Sequence, residues 1–310
     1  MVAFCGLQLE HPIVNGSGTF DAIAARRAFG DALLRDFPFS AFVSKTITLA
    51  PRAGNPPPRL WEAQAGMINS IGLPNRGLDG YLEHDLPQLA ALPVPLITNV
   101  MGSSADEVGR LVAAVDARDE VAAIELNVSC PNVATGLDIG ADPVSLGALV
   151  RAVRPLTAKP LIVKLTPNTA DVGAVAAAAE AEGADAVSLI NTLRAMALDP
   201  RSGRPWLGGT TGGLSGPAIR NVALAQVCAV ARRVAIPIVG MGGIANGRHA
   251  NDLISVGATL VAVGTENFRD PCAGSRIAQE LKSLQIAGSP SSSMNASEPR
   301  PEVDVNWSDS

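Results

Sequence analysis

Residues 161–191 read LIVKLTPNTADVGAVAAAAEAEGADAVSLIN, in which two short apolar runs flank a segment with helical periodicity. In that segment, 171–182, four apolar residues recur at a spacing that places them on one face of a helix, and Gly183 then supplies a helix stop. The four are Val172, Val175, Ala176 and Ala179. The stretch therefore predicts a strand, an amphipathic helix and a second strand, a unit typical of a parallel sheet.

Eight such apolar runs occur along the chain, and helical patterns such as that of residues 105–118 lie between them. Parallel strands that alternate with helices can close into a barrel when there are eight of them. The predicted fold is therefore an α/β (β/α)8 TIM barrel. The runs are 12–15, 41–45, 96–100, 122–127, 161–165, 186–191, 236–240 and 260–264.

Two intervals between the runs, 46–95 and 192–237, are too long for one helix each and contain Gly/Pro-rich stretches. They are predicted to form excursions over the C-terminal mouth of the barrel. One catalytic barrel domain is predicted over residues 1–287. Residues 288–310 have too little apolar surface to fold and are predicted to form a disordered tail.

The composition, 47% hydrophobic and 17% charged over 310 residues, suits a compact protein with a large core. A net charge of −5 and the lack of a Lys/Arg run argue against nucleic-acid binding. No apolar stretch reaches ~18 residues and no signal sequence begins the chain, so a cytoplasmic protein without membrane contact is predicted. Cysteines 5, 130, 228 and 272 form no CxxC pair, and no metal site is predicted.

Charged and glycine residues collect at the predicted strand ends, where barrels of this kind carry their chemistry. Two of the four lysines, Lys45 and Lys164, lie there, and because an unpaired buried lysine costs several kcal/mol, a bound anionic group is predicted beside them. Glycine-containing turns after the last two strands predict a phosphate loop, because backbone N–H groups there can approach phosphate oxygens. The loop residues are Gly242, Gly243, Gly264 and Thr265.

Amide side chains recur at the same strand ends. Each can donate and accept hydrogen bonds, which suits the recognition of a planar ring rich in heteroatoms. They are Asn69, Asn99, Asn127, Asn132 and Asn191, the last followed by Thr192.

Cys130 lies in the loop sequence NVSCPN (127–132), three residues after Asn127. Packing, nucleophilic attack and general-base catalysis are the alternative roles for its thiol. No histidine adjoins it, which disfavours a nucleophilic Cys–His pair.

The sequence resembles the dihydroorotate dehydrogenase family over about residues 1–272, and in particular its cytoplasmic, NAD-linked, two-subunit class. The motifs that carry this resemblance are KTITLAPRAGNPPPRLWE (45–62), GMINSIGLPNRG (66–77), ELNVSCPNV (125–133), VKLTPN (163–168), INTLRAMALD (190–199), GGLSGPAI (212–219) and PIVGMGGI (237–244).

The resemblance implies that FMN binds in the barrel mouth and that dihydroorotate stacks on its ring. The implied FMN contacts are Ser17, Gly18, Lys45, Thr46, Asn99, Asn127, Lys164, Ile190, Gly216, Gly242, Gly243, Gly264 and Thr265. The implied substrate contacts are Lys45, Asn69, Ile71, Gly72, Leu73, Asn127, Asn132, Asn191 and Thr192.

It also implies the reaction, the oxidation of (S)-dihydroorotate to orotate in pyrimidine biosynthesis. Cys130 would act as general base at C5 while C6 passes a hydride to flavin N5, and Lys164 would stabilise the negative charge that develops on the flavin. The electrons would reach NAD through an iron–sulfur flavoprotein partner that carries FAD and a 2Fe-2S cluster. The implied assembly is a heterotetramer built on a homodimer of this chain.

Four alternatives remain open at this stage. The fumarate-using class of the same family shares the cysteine base, and a uracil-type dihydropyrimidine reductase shares both the barrel and the cysteine. A barrel aldolase would use Lys164 as a Schiff-base amine, and a scaffold protein would bind FMN without catalysis. The stretch ATGLDIGADP (134–143) departs from the family pattern, which has a second glycine and an aromatic residue there.

Overall fold

A computed structural model describes residues 1–129 and 139–288 of the chain. Within them a hairpin of β1 and β2 precedes eight parallel strands, which occur in spatial order β3, β14, β13, β10, β9, β8, β7, β4. This arrangement confirms the predicted TIM barrel. The strands are β1 Val2–Phe4, β2 Leu7–Leu9, β3 Ile13–Asn15, β4 Phe42–Val43, β5 Leu60–Ala63, β6 Gly66–Asn69, β7 Leu96–Val100, β8 Val121–Asn127, β9 Leu161–Lys164, β10 Ala186–Leu189, β11 Leu193–Ala195, β12 Gly212–Ser215, β13 Ile238–Met241 and β14 Leu260–Val263.

Helices alternate with the barrel strands, and several begin at a side chain that accepts a backbone N–H. Ser104, Asp142, Asp171 and Asn246 supply these N-caps. Within the described part of the chain, no helix is long and apolar enough to cross a membrane. The helices are α1 Ala22–Phe29, α2 Ala32–Arg35, α3 Gly77–Gly80, a π-helical turn Tyr81–Asp85, α4 Leu86–Leu89, α5 Ala105–Asp116, α6 Pro143–Val153, α7 Val172–Ala181, α8 Arg220–Ala231, α9 Gly247–Ser255 and α10 Ala273–Gly288.

The last helix, α10, reaches Gly288, one residue beyond the predicted end of the barrel domain. Residues 289–310 lie outside the described residues. The single-domain boundary and the disordered tail therefore stay predictions.

The barrel interior changes from apolar to polar along its axis. The hairpin places Phe4 and Leu9 against the inward-facing apolar side chains of the strands, so it closes the N-terminal end. Towards the strand C-termini the buried side chains become polar: Asn99 on β7, Glu125 on β8 and Lys164 on β9. These buried polar side chains therefore lie at the C-terminal end of the barrel, where the fold class places functional residues.

The seam between β3 and β4 is closed by a side chain. The two strands share no ladder, but the fully buried Asn15 amide donates to the Val43 carbonyl oxygen and accepts from the Val43 N–H, both at 2.8 Å. The Ser40 N–H adds a bond of 3.0 Å to the Ile13 carbonyl oxygen. The Asn15 amide thus replaces two ladder bonds at the point where the barrel closes.

Replacing Asn15 with alanine is expected to lower the free energy of unfolding by about 2–4 kcal/mol, because both backbone groups of Val43 lose a buried partner. The midpoint of urea unfolding measures this loss. Asn221→Ala, at an exposed position of α8, is the matched control. Equal midpoints for the two variants would contradict the role given to Asn15.

The two long intervals between barrel strands form one antiparallel sheet, the mouth sheet, with strand order β11, β12, β6, β5. Its central strands are held to each other, and one of them contacts a loop that follows a barrel strand. Asn69 of β6 donates to the Gly213 carbonyl oxygen of β12 at 3.2 Å, and Ser215 of β12 accepts from the Thr265 hydroxyl, after β14, at 2.8 Å. The excursions over the C-terminal mouth are therefore confirmed.

Candidate active site

Three predicted residues from different strands meet at the barrel mouth. Ser17 follows β3, Thr46 follows β4 and Asn127 ends β8. The Ser17 and Thr46 hydroxyl oxygens lie 3.3 Å apart, and the Asn127 amide donates to the Thr46 hydroxyl at 3.3 Å. Ser17 also donates to the Ser44 carbonyl oxygen at 2.8 Å. The structure thus brings these three predicted residues together as one polar rim, and Gly18 (φ +73°) turns the chain beside them.

The two predicted strand-end lysines have different environments. Lys164, at the end of β9, is only 6% exposed and forms no ion pair with any described residue. Lys45 is exposed and lies two residues after β4, which ends at Val43. The argument from burial was therefore wrong for Lys45. The Lys164 side chain is buried as that argument requires, and the bound anionic group beside it stays a prediction.

Asn99 is joined to a buried carboxylate that the sequence analysis did not single out. The Asn99 side-chain nitrogen donates to Glu125 Oε2 at 2.5 Å, while Glu125 Oε1 accepts from the Ser188 hydroxyl at 2.7 Å. The Asn99 side-chain oxygen is buried and has no partner among the described residues. Glu125 occupies one of the two N–H donors of the Asn99 amide, and the oxygen is left as an acceptor without a partner among the described residues.

The predicted phosphate-loop glycines lie close to Gly216, which follows the mouth-sheet strand β12, and to Ile190, which follows the barrel strand β10. A Cβ at Gly243 (φ +70°) would lie 2.9 Å from the Gly216 carbonyl oxygen, and a Cβ at Gly242 would lie 3.3 Å from Ile190. Gly216 in turn approaches the Thr265 side chain, which would be 3.6 Å from an added Cβ. The positive φ of all three glycines and the short approaches at Gly242 and Gly243 favour glycine, and we call this group of turns the glycine cradle.

Gly264 lies at the edge of this cradle. It directly precedes Thr265, and a Cβ added to it would meet the Thr19 side chain at 3.8 Å. Gly216 thus lies close to both glycine-containing turns, and a phosphate loop formed by them stays a prediction.

Asn69 and Thr192 converge on one glycine of the mouth sheet. Asn69 donates to the Gly213 carbonyl oxygen, and a Cβ at Gly213 would collide with the Thr192 hydroxyl. The Asn191 side-chain oxygen accepts from the Thr192 N–H at 2.9 Å, which orients that side chain. Asn168, which was not predicted, donates to the Thr192 carbonyl oxygen at 3.0 Å.

The backbone from Ile71 to Leu73 has an uncommon conformation. Gly72 has φ +75° and Leu73 has φ +55°, although leucine rarely adopts the left-handed region. The Ile71 carbonyl oxygen accepts from the Asn55 N–H at 3.0 Å, and Asn75 donates to the Leu73 carbonyl oxygen at 2.8 Å. Such conformations are concentrated at functional sites, which agrees with a binding role for this segment.

Two predicted residues, Cys130 and Asn132, lie outside the described residues, as do residues 134–138 of the 134–143 stretch. The last described residue before them, Ser129, donates from its backbone N–H to the Asn127 side-chain oxygen at 3.3 Å. The chain therefore leaves β8 beside the polar rim.

The sequence analysis missed Glu125, Ser188 and Ser44. Glu125 was included in an apolar run. A carboxylate inside such a run itself indicates a functional or structural partner, because charged side chains are rarely buried unless they are paired. Ser188 and Ser44 had no comparable signal, since serine in a strand is ordinary. Within residues 1–129 and 139–288, no group of three or more His, Cys, Asp and Glu side chains could hold a metal ion.

Comparisons with known proteins agree with this barrel and mouth. The family described as dihydroorotate dehydrogenase matches residues 1–284. A dihydroorotate dehydrogenase B (NAD(+)) catalytic subunit from Citrifermentans bemidjiense is 46% identical over 286 residues, which cover 92% of each chain. Proteins of the same description from Geobacter sp. (strain M21) and Desulforudis audaxviator are 46% and 45% identical, each covering 91% of both chains.

The fold and the polar mouth define a TIM-barrel enzyme of the flavin-dependent oxidoreductase class. The chain belongs to the dihydroorotate dehydrogenase family.

The described residues fit the flavin that the family implies. Lys164 is a buried cation without an ion pair among them, and the Asn99 side-chain oxygen is a buried acceptor without a donor. The glycine cradle formed by Gly216, Gly242 and Gly243 leaves backbone close to where an anion could bind. FMN has a phosphate group and a polar ring that carries an N–H group, so it offers a partner for each of these features.

Proposed function

We propose that this chain is the catalytic subunit of an NAD-linked dihydroorotate dehydrogenase, which oxidises (S)-dihydroorotate to orotate in the cytoplasm as a step of UMP biosynthesis. The proposal rests on two features at the C-terminal end of the barrel, in a chain 46% identical to a relative of that description. They are the buried Lys164, which has no ion pair among the described residues, and the glycine cradle. Binding of an electron-rich cofactor is the simplest way to compensate the charge.

FMN would be held by groups at the two sides of the mouth. Its phosphate would lie in the cradle, where Gly242, Gly243, Gly264 and Thr265 offer backbone and hydroxyl donors. Its ring would lie against the polar rim, with Lys164 offering a positive charge. When bound, FMN supplies the acceptor for the hydride that leaves the substrate. The proposed contacts are Ser17, Gly18, Lys45, Thr46, Asn99, Asn127, Lys164, Ile190, Gly216, Gly242, Gly243, Gly264 and Thr265.

The chain's own residues would orient the substrate and remove a proton. Lys45, exposed at the mouth, would pair with the carboxylate of dihydroorotate, and amide side chains would hydrogen-bond the pyrimidine ring. Cys130 would take the proton from C5 as general base. Lys164 would stabilise negative charge that develops in the transition state. The proposed ring contacts are Asn69, Ile71, Gly72, Leu73, Asn127, Asn132, Asn191 and Thr192.

A partner subunit would complete the path to NAD. The relatives are described as the catalytic subunit of an NAD(+)-linked enzyme, which supports a second subunit for this chain as well. We propose that the partner is an iron–sulfur flavoprotein with FAD and a 2Fe-2S cluster. Two copies of each subunit would form a heterotetramer built on a homodimer of this chain.

Anaerobic titration of the purified protein with L-dihydroorotate tests the proposal. The flavin absorbance near ~450 nm should bleach with one equivalent of substrate per flavin, because hydride transfer reduces the ring. Dihydrouracil, which lacks the carboxylate, is the matched control and should leave the flavin oxidised.

Other outcomes of the titration would assign a different function. A bound flavin that dihydrouracil bleaches would indicate a pyrimidine reductase, while one that neither compound bleaches would indicate a scaffold. A protein purified without flavin would contradict the redox proposal. Fumarate added to the reduced protein separates the two family classes, since rapid reoxidation would identify the fumarate-using one.

A further inference from the structure

The carboxylate of Glu125 lies inside the barrel, below the polar rim. The side chain is 3% exposed and forms no ion pair with any described residue. Its two oxygens have one partner each: Asn99 donates to Oε2 at 2.5 Å, and the Ser188 hydroxyl donates to Oε1 at 2.7 Å. Burying a charge is unfavourable, and the two charge-assisted hydrogen bonds from neutral donors offset part of this cost.

These bonds decide how the amide of Asn99 is oriented. An ionised carboxylate can only accept hydrogen bonds, so the Asn99 side chain must present its nitrogen to Glu125 and its oxygen to the opposite side. The backbone of Asn99 is also fixed, because its N–H donates to the Ser44 hydroxyl at 3.1 Å and its carbonyl oxygen accepts from the Ile47 N–H at 3.0 Å. The side-chain rotations are the freedom left, and the bond to Glu125 restricts them, including the orientation of the amide.

The oxygen thus presented by Asn99 is buried and has no partner among the described residues. An acceptor buried without a donor destabilises the protein, and it is compensated when a ligand supplies the donor. The ring of oxidised FMN has a single N–H group, at N3. A reversed amide would offer this N–H another donor instead of an acceptor.

We propose that Glu125 is a positioning residue for the cofactor: it holds the Asn99 amide so that Oδ1 accepts a hydrogen bond from N3–H of FMN. The inference rests on the proposed function, since it requires that FMN is the ligand. Ser188 supports the arrangement from the other carboxylate oxygen. Glu125 itself acts through Asn99 and does not contact the reacting atoms.

Two substitutions of similar volume separate this role from a merely structural one. Glu125→Met removes the acceptor for the Asn99 nitrogen, whereas Glu125→Gln keeps an oxygen that can accept it. The apoprotein of the methionine variant is expected to bind FMN about 10- to 100-fold more weakly than wild type, and that of the glutamine variant within about threefold. Quenching of FMN fluorescence measures both dissociation constants.

A spectroscopic signal reports the bond directly. FMN labelled with ¹⁵N should show an N3 resonance in the wild-type complex that is shifted by the hydrogen bond to Asn99. In Glu125→Met this resonance should move towards its value in free FMN, and in Glu125→Gln it should stay. A defect of packing alone would lower stability without this selective change at N3.

A double-mutant cycle with Asn99→Ala completes the test. If Glu125 acts through Asn99, Glu125→Met should weaken FMN binding little further once Asn99 is alanine. Fully additive losses, or an unchanged N3 resonance in Glu125→Met, would overturn the inference. If the methionine variant does not fold, Ser188→Ala replaces it in the test. This variant removes only the second bond to Glu125 and should shift the N3 resonance in the same direction by a smaller amount. Failure of the wild-type protein to bind FMN would instead reject the proposed function.

Discussion

Replacing Cys130 with serine is expected to slow the reduction of bound flavin by L-dihydroorotate about 10²- to 10⁴-fold at pH 7, the range in which a general base contributes to a rate. A thiol with a pKa near ~8.5 is ~3% ionised at pH 7 and ~24% at pH 8. The wild-type rate should therefore rise about eightfold between these values, because more of the thiol is present as the base. A serine hydroxyl remains protonated throughout. Stopped-flow absorbance under anaerobic conditions measures the rate.

The controls for this prediction are the other cysteines. Cys228→Ser and Cys272→Ser change a half-buried and an exposed thiol, neither of them at a strand end of the mouth, and both variants should reduce at the wild-type rate. Cys130→Ser should keep its full content of flavin, since the loss concerns proton transfer. A serine variant that is as fast as wild type at pH 7 would show that another group is the base.

Lys164→Met should have opposite effects on the stability of the apoprotein and on the reduction of bound flavin. Without flavin, the buried ammonium group has no ion pair among the described residues, so replacing it with an apolar side chain should raise the free energy of unfolding of the apoprotein by about 1–3 kcal/mol. With flavin, the same change removes the positive charge that we propose stabilises the reduced ring. Reduction by dihydroorotate should then be about 10²- to 10³-fold slower, a loss comparable to that of one oxyanion-stabilising group.

Lys159→Met is the matched control, because Lys159 lies two residues before the start of the same strand, at the opposite end of the barrel. It should change neither flavin reduction nor binding. Urea unfolding of the apoproteins gives the stability, and titration with FMN gives the affinity. A Lys164→Met apoprotein that is less stable than wild type would mean that the ammonium group has a structural partner.

The barrel could be predicted because its strands are short apolar runs with helical patterns between them. The run at 96–100 coincides with β7, and the helix predicted at 171–182 is α7, Val172–Ala181. The run at 41–45 was too long, since only Phe42–Val43 pairs with a neighbouring strand. At this seam the Asn15 side chain takes the place of a ladder, and a side-chain contact between distant residues leaves no periodic signal.

The pairing within the mouth sheet could not be predicted from local sequence. Its central contact joins β6 with β12, so that Asn69 lies opposite Gly213 from a distant part of the chain. Turn residues and propensities indicate where a loop begins but not which loop lies beside it. The N-terminal hairpin was missed for another reason, because strands of three residues are too short to show an alternating pattern.

The position of the site was predictable, but its internal connections were not. Asn127 and Lys164 end buried strands, and their neighbouring register in the barrel places them side by side. The bond from Asn99 to Glu125 depends on how two adjacent strands are staggered, which sequence does not specify. Polar residues at strand ends thus indicate where chemistry occurs, whereas the orientation of each amide requires coordinates.

The ladder between β3 and β14 has a consequence for how the protein is made. Ile13 pairs with Val261, so the first barrel strand has its parallel partner at the other end of the chain. At a synthesis rate of ~5–20 residues per second, the ribosome needs on the order of tens of seconds between the two. During that time β3 emerges with an unpaired edge, which a chaperone could cover. The emergence of β14, rather than any local folding event, therefore sets the earliest moment at which the barrel can close.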